Sequence, residues 1–412
     1  MASDRFARHY SALAQRLQPS PVREICSLVT QPGMRSLAGG WPDPAIFHSG
    51  EIAQSSTELL ADRADQALQY GSTEGLLPLC QELALRAQKE GDKDCRAENI
   101  LLTHGSCQGL DLASRVFIDP GDVVLVGLPT YFGATGGLIA LGAKLTGVPV
   151  DDEGLNTGAL AEELERLKEA GQPVKAVYVI PNFDNPTGAT LTLERRRRLL
   201  DLACQHDLMI FEDDPYGELR YEGRVLPSLK ALDESGRVIH LRSFSKTLAP
   251  GLRLGWLSGE AKVVRQLALL KQYVDACTNS LGQHLLYELM RQGLYEARLK
   301  VIIAHYRRKR DFILKELGRH FPPSVKWNRP EGGFFLWVHL PQDIDADDLL
   351  AEAAGRKVVF VAGRSCFVDG GGQNTLRLSF AQAGEEEIAA AVAELGRLIK
   401  KRLEKEALNR VT

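Results

Sequence analysis

Short apolar runs alternate with helical patterns through the middle of the chain, from about residue 99 to about residue 259. The runs are NILLTHG, DVVLVGLP, VKAVYVIPN, DLMIFEDD, VIHLRSFSK and RLGWLSG, and segments between them, such as GALAEELERLKEAG, have the period of an amphipathic helix. Strands that are apolar along their whole length are typical of a parallel sheet covered on both faces. The pattern therefore predicts an α/β domain built around a mainly parallel sheet.

The C-terminal third of the chain has a different pattern. GGFFLWVHL, KVVFVAG and TLRLSFA resemble strands, and EEEIAAAVAELGRLIKKRLEKEAL closes the chain as an amphipathic helix. A long helical stretch, from about residue 259 to about residue 316, leads into this part. We predict an N-terminal helix and loop over residues 1–50 that pack on the small domain, a large domain over 51–295, and a smaller α+β domain over 296–412.

The charge of the chain is nearly balanced. It has 50 Lys and Arg against 53 Asp and Glu, a net charge of −3, with 44% hydrophobic and 25% charged residues. This balance gives no electrostatic argument for a nucleic-acid or membrane-surface partner. The run Arg195–Arg198 is a local exception, and its setting in TLERRRRLLDLA predicts a solvated helix face. No segment has the roughly 18 apolar residues of a membrane span.

The cysteines and the N-terminal sequence provide information on the cellular compartment of the protein. The seven cysteines, at positions 26, 80, 95, 107, 204, 277 and 366, are scattered and form no CxxC pair or metal-ligand cluster. Such a pattern indicates reduced thiols in a cytosolic protein. The polar start MASDRFARHYSALAQRLQ lacks the apolar core of a secretion signal. We therefore expect a cytoplasmic protein.

Polar side chains collect directly after the apolar runs. In an open parallel sheet, ligands bind beyond the carboxyl ends of the strands. The residues at these positions are Ser106, Cys107, Gln108, Tyr131, Asn185, Asp213, Tyr216, Ser243, Ser245 and Lys246. If the predicted sheet forms, side chains that are far apart in sequence meet along one rim.

Lys246 is a candidate nucleophile in this set. A lysine amine forms a Schiff base with an aldehyde or ketone when burial or nearby cations lower its pKa. Arg253, seven residues further along SFSKTLAPGLRLGW, could supply that cation. Taken alone, Lys246 fits a solvated loop lysine better, because most lysines have no chemical role.

The other polar groups suggest what an aldehyde ligand would look like. Ser106 opens a predicted helix, where free N–H groups and a hydroxyl bind phosphate, although a simple N-cap serine is the better explanation of this residue taken alone. Ser243, Ser245 and Arg253 could complete that phosphate site. Asp213, at a strand end, could hold the proton of a ring nitrogen, and Tyr216 could donate to a ring oxygen. Turn capping and ordinary packing are the alternatives for these two.

Together these groups match the functional groups of pyridoxal 5′-phosphate. A nucleotide-binding fold is the other explanation of a phosphate site. The chain has neither GxGxxG after its first strand nor GxxxxGK[ST], which argues against a nucleotide.

With these motifs the chain resembles the class I/II aminotransferases of the fold-type I pyridoxal-phosphate family, over nearly its whole length. SFSKTLAPGLRLGW is similar to the family's Schiff-base lysine motif, DNPTG to its asparagine motif and DDPY to its D-x-x-Y motif. TLRLSFA is similar to the strand that carries its substrate-carboxylate arginine. The resemblance implies a large domain with a mainly parallel seven-stranded sheet between layers of helices, plus the smaller α+β domain.

The resemblance also implies a role for each matching residue. Lys246 would bind the cofactor and then act as general acid and base, Asp213 would pair with the protonated ring nitrogen, and Arg377 would hold the substrate α-carboxylate. Residues implied to bind the rest of the cofactor are Ser106, Cys107, Gln108, Tyr131, Asn185, Tyr216, Ser243, Ser245 and Arg253, with Asn185 also at the substrate. Tyr70, in QYGSTEG, would reach the phosphate in a partner subunit, which implies a homodimer with shared active sites.

The N-terminal run PVREICSLVTQPGMRSLAGGWPDPAIF resembles the α-aminoadipate, kynurenine and aromatic aminotransferase subgroup. The resemblance implies that Gly39 and Gly40 border the substrate and that Arg23, on a mobile helix, meets a side-chain carboxylate. An exposed helix residue is an equally good reading of Arg23.

The chain departs from the family pattern at three positions. Cys107 stands where glutamine is usual, Ala362 where a proline is common, and Phe334 where methionine is frequent. None of the three replaces an implied catalytic residue, so they bear on substrate preference and on one phosphate contact rather than on the reaction.

The resemblance implies an aminotransferase that passes the amino group of an aminoadipate-, aromatic-, branched-chain- or kynurenine-type amino acid to a 2-oxo acid, with 2-oxoglutarate expected. Two alternatives stay open. A β-lyase acting on cysteine conjugates, or a decarboxylase, would use the same site residues. A regulatory ligand-binding module would need a DNA-binding winged helix, and we expect too few residues before PVREI for one.

Overall fold

The computed structural model describes residues 5–17, 19, 29, 31–47 and 49–409, with side chains through residue 405. The helices are α1 (Ala12–Arg16), α2 (Ser49–Ala67), α3 (Leu77–Lys89), α4 (Ser106–Phe117), α5 (Phe132–Leu141), α6 (Thr157–Glu169), α7 (Leu193–Gln205), α8 (Leu229–Leu232), α9 (Ala261–Gln272), α10 (Ser280–Arg291), α11 (Leu294–His320), α12 (Ala346–Gly355) and α13 (Glu385–Asn409). Short 3₁₀ turns lie at Ala7–His9, Pro44–Ile46, Ala97–Asn99, Pro250–Leu252 and Gly363–Cys366.

The strands form one large sheet and two small ones. They are β1 (Arg35–Ser36), β2 (Ile100–Thr103), β3 (Val123–Leu128), β4 (Lys144–Asp151), β5 (Gly154–Leu155), β6 (Val174–Val179), β7 (Met209–Asp213), β8 (Val238–Ser243), β9 (Gly255–Ser258), β10 (Lys326–Trp327), β11 (Phe335–His339), β12 (Val358–Val359), β13 (Val361–Ala362) and β14 (Thr375–Ser379).

The large sheet has the strand order β2-β9-β8-β7-β6-β3-β4-β5. Strands β8, β7, β6, β3 and β4 pair in parallel, and β9 runs antiparallel between β2 and β8. The α/β fold and the mainly parallel sheet are confirmed. The predicted seven strands are present, and the two-residue strand β5 extends the sheet to eight by pairing antiparallel with the end of β4.

Both faces of the large sheet are buried, which explains the continuous apolar runs. Alternate residues point to opposite faces of a strand. On one face, Val126 and Phe211 pack in a core with Leu110 of α4. On the other face, Val177 and Ile210, which lie opposite each other in adjacent strands, pack in a second core with helices α6 and α7. The sheet is therefore held between two layers of helices.

The C-terminal region contains an antiparallel sheet of order β10-β11-β14-β13. Strands β1 and β12 form a separate parallel pair, in which Arg35 lies opposite Val358, so the N-terminal loop packs on this region. Helix α13 packs along α11 and buries Leu395 and Ile399 in the same core as Leu376 and Leu378 of β14. This arrangement agrees with an α+β region, and the exact boundaries at 50/51 and 295/296 stay a prediction.

Two details differ from the sequence-based expectations. The helical stretch from residue 259 to 316 consists of three helices, α9 to α11, separated where Asn279 caps α10 and Gly293, with φ +71°, precedes α11. The expected solvated face at Arg195–Arg198 is wrong for Arg196, which has no exposed surface, and Arg195 pairs with Asp151 at 2.6 Å. The other two arginines are exposed. Among the described residues, no helix combines the length and apolarity needed to cross a bilayer.

Candidate active site

The predicted polar groups meet in a cavity of about 310 Å³ beyond the carboxyl ends of strands β6, β7 and β8. Its lining consists of Ala38, Gly39, Gly40, Trp41, Gly105, Ser106, Cys107, Tyr131, Phe132, Ile180, Asn185, Asp213, Pro215, Tyr216, Ser243, Ser245, Lys246, Pro250, Arg253, Phe335 and Arg377. Polar residues that follow different strands of the large sheet therefore lie in one cavity, and Phe335 and Arg377 of the C-terminal sheet complete its lining.

Lys246 lies three residues beyond β8 and points into the cavity. Its Nζ donates a 3.0 Å hydrogen bond to the backbone oxygen of Gly40. Burial lowers the pKa of Lys246 to about 8, and the nearby cations of Arg253 and Arg377 act in the same direction, against the opposite influence of Cys107 and Asp213. A lysine with this pKa has a substantial neutral fraction near pH 8, as a nucleophilic amine requires.

Asp213 ends strand β7 and is 5% exposed. Its Oδ2 accepts a 2.9 Å hydrogen bond from the phenol of Tyr178, while its Oδ1 is buried without a partner among the described residues. Burial raises the pKa of Asp213 to about 6. A buried acceptor without a donor is costly, so Asp213 Oδ1 is suited to accept a hydrogen bond from a ligand N–H.

A group of donors surrounds the N-terminus of α4. Gly105, with φ +81°, precedes Ser106, and a Cβ on Gly105 would lie 3.1 Å from Arg253 Nη2. Arg253 donates to Ser245 Oγ at 3.4 Å and to the backbone oxygen of His104 at 3.1 Å, and Ser243 Oγ accepts from the Ser245 N–H at 3.2 Å. The free N–H groups at the start of this twelve-residue helix, the guanidinium of Arg253 and the serine hydroxyls can all donate hydrogen bonds to a phosphate.

Arg377 lies on β14 and is buried on the opposite side of the cavity. Its two terminal nitrogens donate to Asn185 Oδ1 and to the backbone oxygen of Ala38, each at 2.6 Å. Its Nε is buried with no acceptor among the described residues, and its guanidinium lies 4.2 Å from the ring centre of Phe335. Burial lowers the pKa of Arg377, so the site favours an incoming anion.

Two tyrosines and two glycines shape the space between these groups. Burial raises the pKa of Tyr131 and of Tyr216, so both phenols are protonated donors at neutral pH. Tyr216 packs edge-on against Phe335, with ring centres 5.6 Å apart. A Cβ on Gly40 would lie 2.9 Å from Phe335, and one on Gly39 would lie 2.6 Å from Trp41. Both glycines therefore stand where a side chain would not fit without movement.

Two of the predicted site residues that the structure describes, Gln108 and Tyr70, do not line the cavity. The amide of Gln108 donates to Asp275 Oδ2 at 2.5 Å, and its oxygen accepts from the N–H of His104, so this side chain braces the start of α4 instead. Tyr70 is 82% exposed, away from the cavity of its own chain. Arg23 lies outside the described residues.

Several contributors to the cavity do not follow a strand of the large sheet. Phe335 and the carbonyl of Ala38 come from segments with no sequence signal for a site, and Gly40 was expected only from the family resemblance. Tyr178 could have been found, because it lies opposite Phe211 in register and therefore on the same face as Asp213, two residues further along β7. Aligning the strands before choosing polar residues would have brought out this pair.

Arg196, in α7, is another residue that sequence analysis placed wrongly. It donates to the backbone oxygens of Pro181, Leu191 and Pro227 at 2.9 to 3.0 Å and to Asn182 Oδ1 at 2.7 Å. These bonds fasten both ends of the loop, residues 181–191, that carries Asn185. Asn182 in turn donates to Asp214 Oδ1 at 3.0 Å, which ties this loop to the end of β7.

The residues present fit pyridoxal 5′-phosphate. Asp213 Oδ1 would accept a hydrogen bond from the protonated ring nitrogen, Asn185 and Tyr216 would bind the ring oxygen, and Tyr131 would lie against the ring. The donors around Ser106 and Arg253 would hold the phosphate. The amine of Lys246 lies in the same cavity, where it would meet the aldehyde.

Comparison with known proteins agrees with this chemistry. The family model "Aminotransferase class I and II" matches residues 47–395. The aromatic-amino-acid aminotransferase 1 of Thermococcus litoralis is 41% identical over 97% of this chain and 96% of its own length. The 2-aminoadipate transaminase of Thermus thermophilus is 40% identical over 94% of this chain and 95% of its own length.

A solved structure is similar across the whole fold. The crystal structure of the kynurenine aminotransferase of Pyrococcus horikoshii, in complex with PMP, has a TM-score of 0.93 and 40% identity, and the match covers 97% of this chain and 98% of that chain. The resemblance found from the motifs is confirmed. The chain therefore belongs to the class I and II aminotransferases and is a pyridoxal-phosphate-dependent transaminase.

Proposed function

We propose that this transaminase takes the amino group from L-amino acids with aromatic, aminoadipate, branched-chain or kynurenine side chains and gives it to 2-oxoglutarate. The observation that carries the proposal is the cavity itself, in which Arg377 has a buried Nε free for a carboxylate and aromatic rings form the adjoining wall. Relatives that are named for aromatic, aminoadipate and kynurenine substrates support the same range. Membership of an amino-acid biosynthetic pathway stays a prediction.

Each catalytic side chain has a task that follows from its position. Pyridoxal phosphate, when bound, supplies an aldehyde that accepts the amino group and a protonated ring that withdraws electrons from the substrate Cα. Arg377 holds the α-carboxylate, which fixes the direction of the Cα–H bond. Burial lowers the pKa of Lys246 to about 8, so its amine can act as a base. Lys246 removes the proton from Cα and delivers it to the carbon of the cofactor's former aldehyde group. Orientation of this kind lowers a barrier by several kcal/mol.

The aromatic residues of the cavity favour particular side chains of the amino donor. Trp41, Phe132 and Phe335 line the cavity together with Tyr131. Apolar and aromatic rings are suited to an apolar or aromatic donor. For aminoadipate or 2-oxoglutarate, the second carboxylate needs a cation, and Arg23 is the proposed one.

A donor screen tests the substrate range. The purified protein is incubated with 2-oxoglutarate and a panel of amino acids, and glutamate formation is followed. We expect turnover with phenylalanine, kynurenine, leucine and aminoadipate. The half-reaction of the amino acid alone, followed by cofactor absorbance without 2-oxoglutarate, isolates the donor. In that half-reaction Arg23→Ala should slow aminoadipate but not phenylalanine, and equal loss for both donors would remove Arg23 from the proposal.

β-Elimination is not favoured, because the close relatives are named aminotransferases. The same screen separates the two reactions. A β-lyase would release pyruvate and ammonia from a cysteine conjugate without any 2-oxo acid, whereas a transaminase requires the acceptor.

We also propose that the protein works as a homodimer in which Tyr70 serves the partner's site. Tyr70, Leu68 and Tyr273 are 82%, 67% and 90% exposed, unusually open for large apolar side chains. Thr73, in the same loop as Tyr70, donates to the backbone oxygen of Ala276 at 2.6 Å, which holds this loop close to Tyr273. The three side chains support a common interface with a second copy.

Complementation tests the shared site. Tyr70→Ala and Lys246→Ala variants, each weakly active or inactive, are mixed, unfolded and refolded together. A hybrid dimer would contain one site with both Lys246 and the partner's tyrosine, so activity should return. Failure of the mixture to regain activity, with a dimer verified by ultracentrifugation, would contradict a shared site.

A cytoplasmic location is proposed as well. The thiols of Cys80, Cys95, Cys107, Cys204, Cys277 and Cys366 are all free, which suits a reducing compartment. Immunodetection in fractionated cells of the source organism tests this, and recovery in an extracytoplasmic fraction would contradict it.

A further inference from the structure

The two carboxylate oxygens of Asp213 have different surroundings, because only one of them is hydrogen-bonded to Tyr178. Tyr178 Oη donates to Asp213 Oδ2 at 2.9 Å, and Asp213 Oδ1 has no partner among the described residues. Tyr178 is 1% exposed and Asp213 is 5% exposed, so water has little access to either group. One oxygen is therefore occupied and the other is left for a ligand.

The neighbours of the phenol fix its direction. Tyr178 lies on β6 and packs in the core with Phe211 and Leu110, and burial raises its pKa well above the usual range. It therefore stays protonated at every pH at which the enzyme works. A phenol that cannot ionise can only donate to an acceptor-only carboxylate, so the polarity of this bond is fixed.

The buried surroundings of Asp213 oppose its ionisation, and the hydrogen bond from Tyr178 counteracts this effect. Burial, with a smaller contribution from the charge of Asp214, raises the pKa of Asp213, whereas the bond from Tyr178, the Ser106 hydroxyl and His240 lower it, and the net pKa is about 6. The carboxyl would thus be more often protonated without Tyr178. A protonated carboxyl is a poorer partner for a protonated ring nitrogen.

We propose that Tyr178 is a positioning residue for the cofactor ring: its phenol holds one oxygen of Asp213 so that the other, ionised, meets the ring nitrogen. This inference rests on pyridoxal phosphate occupying the cavity. Tyr178 itself has no place in the cavity lining and acts only through Asp213.

The test compares two ligands that differ only at the ring nitrogen. Pyridoxal phosphate and its 1-deaza analogue, in which carbon replaces that nitrogen, are titrated into the apoprotein, and the ratio of their dissociation constants is measured. Covalent attachment and phosphate binding are common to both ligands and cancel in the ratio. Tyr178→Phe removes one hydroxyl and keeps the ring, so the fold should persist, and thermal melting verifies it.

Tyr221→Phe is the matched control. Tyr221 is also a buried tyrosine, 6% exposed, and its phenol donates to the backbone oxygen of Gly333 outside the cavity. Its replacement should leave the ratio unchanged.

For Tyr178→Phe we expect the preference for pyridoxal phosphate over the analogue to fall about tenfold, as loss of a hydrogen bond to a charged group implies. The fall should be larger at pH 6.5 than at pH 8.5. Without the bond from Tyr178 the pKa of Asp213 is higher, so a larger fraction of Asp213 is protonated at the lower pH. A second readout is the absorbance of the bound cofactor, whose dependence on pH should shift in Tyr178→Phe and not in Tyr221→Phe.

Equal weakening of both ligands would show that Tyr178 is only a packing residue and overturn the proposal, as would an unchanged or increased preference. Failure of the unmodified protein to bind pyridoxal phosphate at all would instead refute the occupancy of the cavity, so the two failures are distinguishable.

Discussion

Arg377 donates a 2.6 Å hydrogen bond to the side-chain oxygen of Asn185, a residue 192 positions away in sequence. Arg377 belongs to the C-terminal sheet, and Asn185 belongs to the loop after β6 of the large sheet. The bond joins the group expected to hold the substrate carboxylate to a group that faces the cofactor. Correct alignment of the two ligands therefore depends on how the two sheets are held together.

Arg377→Ala should raise the KM for the amino acid about a hundredfold. Loss of a buried charged donor costs several kcal/mol, and the loss falls on substrate binding. Absorbance of the bound cofactor should persist, because the role proposed for Arg377 is to hold the substrate and not the cofactor. Steady-state kinetics and an absorbance spectrum check both points. Arg329→Ala is the control, since Arg329 is 58% exposed, and a KM in Arg377→Ala equal to that of the control would contradict the assignment.

Gly40→Ala should impair turnover of the amino donors. The added methyl would lie 2.9 Å from Phe335 Cζ, and Phe335 supports the guanidinium of Arg377 at 4.2 Å. Overpacking at such a contact costs about 1–3 kcal/mol, so kcat/KM should fall roughly tenfold or more. Gly50→Ala, where the methyl meets nothing within 4 Å, should leave kcat/KM unchanged. Equal behaviour of the two variants would show that Gly40 does not border the substrate.

The apoprotein should react with pyridoxal faster as the pH rises through about 8. The pKa of Lys246 is lowered to about 8, chiefly by burial, so its neutral, nucleophilic form appears near that pH. Pyridoxal lacks the phosphate, so ionisation of that group cannot contribute to the profile. Stopped-flow absorbance measures the rate.

Arg253→Met removes one of the cations that lower the pKa of Lys246, so the midpoint of the profile should move upwards. A wild-type midpoint near the ordinary lysine value would contradict a buried amine.

Arg196→Met should destabilise the protein by about 3 kcal/mol or more, because three backbone oxygens and Asn182 lose their buried donor. Arg197→Met removes the same charge from an exposed position in the same helix and should have little effect. Chemical denaturation of the two variants compares them. Similar midpoints would mean that the bonds from Arg196 do not stabilise the loop.

The sequence predicted the parts of the site that lie at strand ends. Asp213 and Lys246 follow apolar runs, and the geometry of a parallel sheet brings such positions together. The carbonyl of Gly40 and the ring of Phe335 were not predictable in this way, because their places depend on how the C-terminal sheet packs against the large one. Arg196 was misjudged because a helix pattern shows which face is apolar but not whether a long polar side chain turns inward to bind carbonyls.

The proposed mechanism depends most directly on Lys246 being the residue that binds the cofactor covalently. Sodium borohydride reduces the bond between a lysine and the cofactor aldehyde, and mass spectrometry of the digested protein then locates the modified residue. We predict a phosphopyridoxyl group on Lys246 in the wild-type protein, with no covalent label and no transaminase activity in Lys246→Ala. Modification of a different lysine, or transaminase turnover that survives in Lys246→Ala, would contradict it.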